Sequence, residues 1–202
     1  MAFRGVLTAI TRPSGCGKSI LLYCLSGLER PAGGVAQVLG RELGKLNEQR
    51  LALFRRAHVG FVFQAYNLVP SMTVRDNVLL PLSLAGRKVD KATFAAVMDR
   101  FRLSGHEQDA VGSLSGGEQQ RVALIRTLIA DPDVVLADEP TGALDRNTGW
   151  MVFSELLAFA HRPGKCVVMV THDPDLARRC DVVYTMADGR LVVSQSEQVP
   201  VR

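Results

Sequence analysis

The sequence predicts an α/β fold, a mostly parallel sheet flanked by helices, with a helical insert between strands. Three observations predict it. Residues 134–137 (Val-Val-Leu-Ala) and 166–170 (Cys-Val-Val-Met-Val) are unbroken apolar runs, the pattern of strands buried on both faces. Each run ends in polar residues, Asp138-Glu139 after the first and Thr171-His172-Asp173 after the second. In open parallel sheets that edge is where ligands sit. A third strand, residues 6–11, runs into a glycine-containing turn and then a helix-spaced apolar run.

The chain has 202 residues, enough for one α/β domain with an insert. Lysine and arginine number 24 against 20 acids, a net charge of +4. The basic residues are scattered, so a nucleic-acid partner is not demanded. The cysteines, Cys16, Cys24, Cys166 and Cys180, form no Cys-x-x-Cys pair, which argues against a zinc site or a disulfide framework. No apolar run approaches the roughly 20 residues that span a bilayer. Nor does a charged-then-apolar export signal open the chain. The reading is a cytosolic protein that reaches a membrane only through a partner.

Taken in order, the strand at 6–11 leads into Arg12-Pro13-Ser14-Gly15-Cys16-Gly17-Lys18-Ser19. A phosphate-cradling loop calls for Gly-x-x-x-x-Gly-Lys-Ser/Thr. The last three positions match, and Arg12 stands where the first glycine belongs. Gly15 and Gly17 let the backbone wrap a phosphate with its N–H groups. Lys18 reaches the terminal phosphates, and Ser19 offers a hydroxyl to magnesium. Ile20, Leu21, Leu22, Cys24, Leu25 and Leu28 pack the following helix on the sheet. Gly33-Gly34 marks a turn before a short strand at 35–39, and residues 47–56 form a helix. A strand at 59–63 ends at Gln64, an uncharged amide that can touch magnesium or an attacking water.

Residues 66–130 are mostly helical. The helix at 74–85 is interrupted by Pro81, and another covers 88–101. Leu68, Val69, Leu79 and Leu82 are either core or a socket for a partner helix. Ser115-Gly116-Gly117 opens a helix with accessible backbone N–H groups, which suits a phosphate. The helix at 118–130 carries Val122, Ile125, Leu128 and Ile129 on one face. After the 134–137 strand, Asp138 is placed to hold magnesium through water. Glu139 can orient or deprotonate a water aimed at a phosphoryl group. A loop at 140–145 leads to a helix at 147–161, in which Trp150 is read as packing. Two last strands, 182–186 and 190–193, are joined by Asp188-Gly189, a good hairpin turn. His58, His106 and His161 read as surface residues without metal spacing. A polar tail from residue 194 reads as loose.

Leu114-Ser115-Gly116-Gly117-Glu118, a short helix ahead of an apolar-Asp-Glu strand, with Leu144-Asp145 following, resembles the ATP-binding cassette (ABC) family. The resemblance covers nearly the whole chain. It implies a P-loop NTPase (RecA-like) sheet, formed by residues 1–64 and 131–193. It also implies an inserted ABC helical subdomain at 65–130 and a loose tail at 194–202. The 51 residues between Gln64 and Ser115 leave room for that insert. It further implies that two chains, a homodimer, sandwich two Mg-ATP head to tail under an integral membrane permease. By resemblance, Ser14, Gly15, Cys16, Gly17, Lys18, Ser19, Ile20 and Gln64 bind the nucleotide, and Ser19, Gln64 and Asp138 serve the Mg²⁺. Glu139 is the base and His172 the switch histidine, whose ring donates to the γ-phosphate. Ser115, Gly116, Gly117 and Glu118 close over the opposing chain's ATP, and Asp145 couples the two sites.

This sequence departs from the family at several points. Arg12 replaces a glycine, Ile20 replaces a threonine, and Glu118 replaces a glutamine. The replacement at 118 suits the helix dipole and is expected to do little harm. Only a handful of residues precede the first strand, where the family carries further strands and an adenine-stacking aromatic. Phe3 is too close to that strand to be the aromatic. Either the start is truncated or this copy binds adenine without the stack. Arg12, Ile20 and this short beginning motivate an alternative, a regulatory or nucleotide-binding-impaired subunit without efficient turnover. A soluble relative acting on DNA or ribosomes is disfavoured, since no coiled-coil arms, zinc module or second cassette is visible, and no nucleic acid is expected as a partner. Phe63-Gln64, Asn77-Val78 with Leu-Pro-Leu, and Asp-Glu-Pro-Thr-Gly-Ala-Leu-Asp look like the branch that serves MacB, LolD and FtsE systems. That branch implies a peripheral subunit on the cytoplasmic face of the cell membrane, working in export or mechanotransmission.

Overall fold

Aliphatic and β-branched runs form the centre of a six-stranded sheet in the structure, a computed structural model describing residues 4–11, 18–187 and 190–196. The strands are β1 (Leu7–Thr11), β2 (Gln37–Val38), β3 (Arg41–Glu42), β4 (Val59–Val62), β5 (Val134–Asp138), β6 (Cys166–Thr171), β7 (Val182–Ala187) and β8 (Arg190–Ser196). The helices are α1 (Lys18–Ser26), α2 (Glu48–His58), α3 (Val74–Leu84), α4 (Lys91–Arg100), α5 (Gly116–Ile129), α6 (Arg146–Ala160) and α7 (Pro174–Ala177). The sheet order is β4-β5-β6-β1-β7-β8. All neighbours are parallel except β7 and β8, which run antiparallel. Residues of β5 and β6 are buried throughout, which is why those strands show no polar alternation.

Alternation along the strands assigns two faces. Leu7, Ala9, Val135, Ala137, Val167 and Met169 share one apolar cluster with side chains of α3, α4, α5, α6 and α7. Ile10, Leu136, Val168 and Val170 face the other way, against Leu22 of α1. Asp138 follows Val134 and Leu136 at period 2, so it falls on the α1 side. Leu82 belongs to the core at 3 % exposure. Leu68 and Leu79 pack partly buried on the same cluster, and Val69 is half-buried. The burial of Asn77 is made tolerable by hydrogen bonds. Its side chain receives the Val69 N–H at 2.8 Å and donates to the Val69 carbonyl at 3.1 Å.

Helix starts are set by caps. Asn47, Thr73, Asp90, Ser115, Asp145 and Asp173 each accept a backbone N–H of the first turn. The helix expected at 118–130 therefore begins at Gly116, and the one expected at 88–101 begins at Lys91. The strand expected at 35–39 is a correction. Only Gln37–Val38 is extended, and it pairs antiparallel with Arg41–Glu42, outside the six-stranded sheet. The loose tail expected from 194 is also corrected at its start. Residues 194–196 continue β8, where the Thr185 and Ser194 hydroxyls lie 2.5 Å apart. The loop expected at 12–17 to cradle phosphate, the turn expected at Asp188-Gly189 and residues 1–3 and 197–202 lie outside the described residues.

Burial pushes the Cys166 thiol up to about 11 and the Cys180 thiol up to about 12. Both are inert packing groups at neutral pH. Among the described residues no helix is long and apolar enough to cross a membrane. Gly60 on β4 allows close packing, because a Cβ there would sit 2.7 Å from Thr127 Cγ2 and 2.8 Å from Pro132 Cγ. Gly60→Ala is expected to cost about 1–3 kcal/mol of stability through overpacking, read as a shift of the urea midpoint at constant slope.

Candidate active site

The carboxyl edge of β5 and β6 assembles the reactive groups. Asp138 closes β5 at 5 % exposure, paired in register with Val170. Glu139 turns out of the strand in a left-handed conformation, φ +46°, which costs a non-glycine residue about 1–3 kcal/mol. Its backbone holds that shape with two bonds. The Glu139 N–H donates to the Val170 carbonyl at 3.1 Å, and its carbonyl accepts the Gly142 N–H at 3.1 Å. Its side chain reaches β6's end, where Oε2 accepts from His172 Nδ1 at 2.8 Å and from the His172 backbone N–H at 3.3 Å. The carboxylate is mostly shielded at 13 % exposure, while the His172 ring is 65 % exposed. The expected base and its companion are thus in direct contact. With Nδ1 donating to the carboxylate, Nε2 is the ring atom turned outward. A neutral ring presents a lone pair there, so donation to a phosphate requires the imidazolium.

Lys18 opens α1, Ser19 is half-buried, and Ile20 is 62 % exposed. Ser14, Gly15, Cys16 and Gly17 fall outside the described residues. Gln64 is exposed in the turn after β4. That turn leaves through two left-handed residues, Tyr66 (φ 60°) and Asn67 (φ 50°). Their carbonyls are clamped by Arg126 of α5, at 2.8 Å and 2.7 Å. The Tyr66 hydroxyl lies over Gly116, 3.0 Å from where a Cβ would be.

At the start of α5, Ser115 and Glu118 form a capping box. Ser115 Oγ accepts the Glu118 N–H at 3.4 Å. Glu118 Oε2 in turn accepts the Ser115 N–H at 2.8 Å and its hydroxyl at 2.6 Å. The hydroxyl bond first, then the N–H bond, holds the Glu118 carboxyl below the usual carboxylate range. Its effect on the box is present above that range and lost as pH falls through the depressed value. Glu118 therefore does more than complement the helix dipole. It occupies both donors of Ser115. Asp145 caps α6, accepting the Asn147 N–H at 2.9 Å and the Thr148 N–H at 3.1 Å. Hydrogen bonding from the Thr148 hydroxyl, then from backbone N–H groups, holds its carboxyl low.

The sequence did not point to the contacts that join these segments. Gln120, 2 % exposed in α5, donates from Nε2 to the Pro140 carbonyl at 2.8 Å. Thr127 Oγ1 donates to the Phe61 carbonyl of β4 at 3.0 Å. The available signal was spacing: Gln120, Ala123 and Thr127 recur at 3–4 residues on a second buried stripe of α5. The remaining histidines each meet one carboxylate: His58 with Asp133 at 2.6 Å, His106 with Asp109 at 2.8 Å, His161 with Asp181 at 3.1 Å. Among the described residues no cluster of three or more His, Cys, Asp or Glu side chains could hold a metal ion. Trp150 meets Phe153 edge-on at 5.8 Å and lies under the Arg179 guanidinium at 4.7 Å, a packing role.

Comparison with known proteins follows the same lines. The ABC transporter family profile matches residues 2–142. The lipoprotein-releasing system ATP-binding protein LolD 1 of Rhodospirillum rubrum is 42% identical over 192 residues, covering 94% of this chain and 85% of that protein. LolD of Paramagnetospirillum magneticum is 44% identical over 190 residues, covering 93% and 84%. The macrolide export ATP-binding/permease protein MacB of Sodalis glossinidius is 40% identical over 200 residues, 98% of this chain but 30% of that protein. The dimeric structure of MJ0796, a bacterial ABC transporter cassette, superposes with a TM-score of 0.87 at 33% identity, covering 98% of this chain and 89% of that one. A second MJ0796 structure, a post-hydrolysis state bound to ADP and Pi, superposes equally well, with a TM-score of 0.87. A family profile spanning more than half of the residues, LolD relatives matched over most of their length and a shared fold lead to one statement: the chain belongs to the ABC transporter family.

Proposed function

We propose that the chain binds Mg-ATP and hydrolyses it as the ATP-binding subunit of a transporter. Two copies enclose two nucleotides head to tail and drive a membrane permease from the cytoplasmic face. One observation carries the reading: a shielded carboxylate, Glu139, held 2.8 Å from His172 Nδ1 at adjacent strand ends, beside the buried Asp138. The relatives named as ATP-binding subunits, and a dimeric neighbour with ADP and Pi, support it.

The candidate donors fit magnesium. Asp138 offers a carboxylate, Ser19 a hydroxyl and Gln64 an amide, all hard oxygen ligands. When bound, the ion supplies charge neutralisation for the phosphates. The chain's own groups do the rest. The loop at 14–19, with Ile20 beside it, holds the nucleotide, and Lys18 meets its terminal phosphates. Glu139 Oε2 is committed to His172, so Oε1 is the atom that takes a proton from the attacking water. His172 fixes the carboxylate's orientation and turns Nε2 outward. Catalysis of this kind is mainly positioning and charge stabilisation.

Ser115, Gly116, Gly117 and Glu118 complete the opposing chain's site, with Asp145 coupling the two. Residues 1–64 and 131–193 act as the nucleotide-binding core, and 65–130 as the helical part that meets the permease. The lipoprotein-releasing and macrolide-export relatives place the subunit in the LolD- and MacB-like branch.

Glu118 sharpens the test. Its carboxylate takes the Ser115 donors that a phosphate needs, and it is a like charge to the phosphate. Glu118→Gln is expected to lower the Mg-ATP concentration for half-maximal phosphate release, with pairing of the chains shifting in parallel. A purified wild-type chain that neither binds Mg-ATP nor releases phosphate would overturn the proposed function. A Glu118→Gln variant needing more nucleotide would overturn only the role of that side chain.

A further inference from the structure

We infer that Gln120 is a positioning residue for Glu139, and that α5 ties the Ser115–Gly117 turn to the hydrolytic carboxylate through it. The inference rests on the ATPase reading and deepens it. Glu139 has the left-handed φ of +46°, and Pro140 follows it directly. The Pro140 ring fixes its own φ, so anchoring its carbonyl leaves the loop little freedom. That anchor is Gln120 Nε2, at 2.8 Å. The other backbone restraints on Glu139 come from β6 and from its own loop, through the Val170 carbonyl and the Gly142 N–H. Gln120 is the restraint that comes from α5.

The same helix begins with the Ser115 capping box and later clamps the turn after Gln64 through Arg126. Ser115 and Gln120 are five residues apart, about 7.5 Å of rigid helix. A shift of the turn when a phosphate engages it is therefore passed to the Pro140 carbonyl, and so to Glu139.

The chemistry of the side chain argues for function over packing. Gln120 is 2 % exposed, and its Oε1 is buried with no hydrogen-bond partner among the described residues. Rotating the amide gives no relief, because it would aim oxygen at the Pro140 carbonyl. A leucine or methionine of similar volume would remove the orphaned oxygen while orphaning the Pro140 carbonyl, and the two effects oppose one another. The bond donated to the Pro140 carbonyl is what offsets the cost of burying this amide.

The test uses the purified full chain and steady-state phosphate release from Mg-ATP. Gln120→Leu is expected to lower kcat by about 10- to 100-fold, the scale of an ångström-sized misplacement, with KM within about threefold. Gln120→Met, unbranched and similar in length, is expected to do the same. Gln120→His keeps a ring N–H donor and is expected to recover part of kcat. Wild-type kcat in either folded apolar variant would overturn the inference. So would kcat, KM and melting temperature moving together with no recovery in Gln120→His, since that is the pattern of a merely structural role. Absence of phosphate release by the wild type would instead strike the ATPase reading.

Discussion

Replacing Glu139 by glutamine is expected to lower turnover by about 10²–10⁴, the range for loss of a general base, while Mg-ATP stays bound. The amide keeps the size of the side chain and an oxygen to accept from His172 Nδ1, which lies 2.8 Å from the carboxylate in the native chain. It cannot take a proton from water. The left-handed backbone at 139 is held by bonds to Val170 and Gly142 that do not involve the side chain, so the strand end keeps its shape. Single-turnover phosphate release measures the chemistry, and equilibrium binding of a nucleotide measures the rest. An unaltered rate in Glu139→Gln would remove the residue from the mechanism.

Leu124→Ala is expected to destabilise the fold by about 2–5 kcal/mol, the range for deleting a buried leucine. Leu124 is fully buried in α5, at 0 % exposure within the cluster shared by the helices and the sheet. α5 carries buried side chains on most of its circumference, so the space left cannot collapse by a tilt of the helix alone. Typical domains are stable by only about 5–15 kcal/mol, so this is a large share of the whole. For a chain of this size it lowers the melting temperature by roughly 4–20 °C. Calorimetry or circular dichroism checks it, and a loss below 1 °C would mean that α5 does not bear on the core as described.

Much of this was readable from residues, and the reasons are particular. β5 and β6 announced themselves because strands buried on both faces need no polar alternation, and both are buried throughout. The Glu139–His172 pair needed more. The two are 33 residues apart, and only the adjacency of β5 and β6 brings them into contact. The strand expected at 35–39 failed because Val35 is 69 % exposed and the segment pairs only with its own short hairpin partner. The starts of α5 and α6 were read two residues and one residue late and that of α4 three residues early, because the capping residues Ser115, Asp145 and Asp90 sit outside the apolar periodicity that revealed the helices. Spacing could place Gln120 on a buried stripe of α5, but what Gln120 and Arg126 bond to was illegible for another reason. Their partners are backbone carbonyls 20 and about 60 residues away, on which side-chain patterns have no bearing.

The account depends on nucleotide gripped between two copies of this chain. Its size in solution, measured by light scattering for Glu139→Gln with and without Mg-ATP, decides the matter. The prediction is a single chain without nucleotide and a pair with it, holding one ATP per chain. A chain that stays single at saturating Mg-ATP, with the nucleotide free in solution, contradicts it.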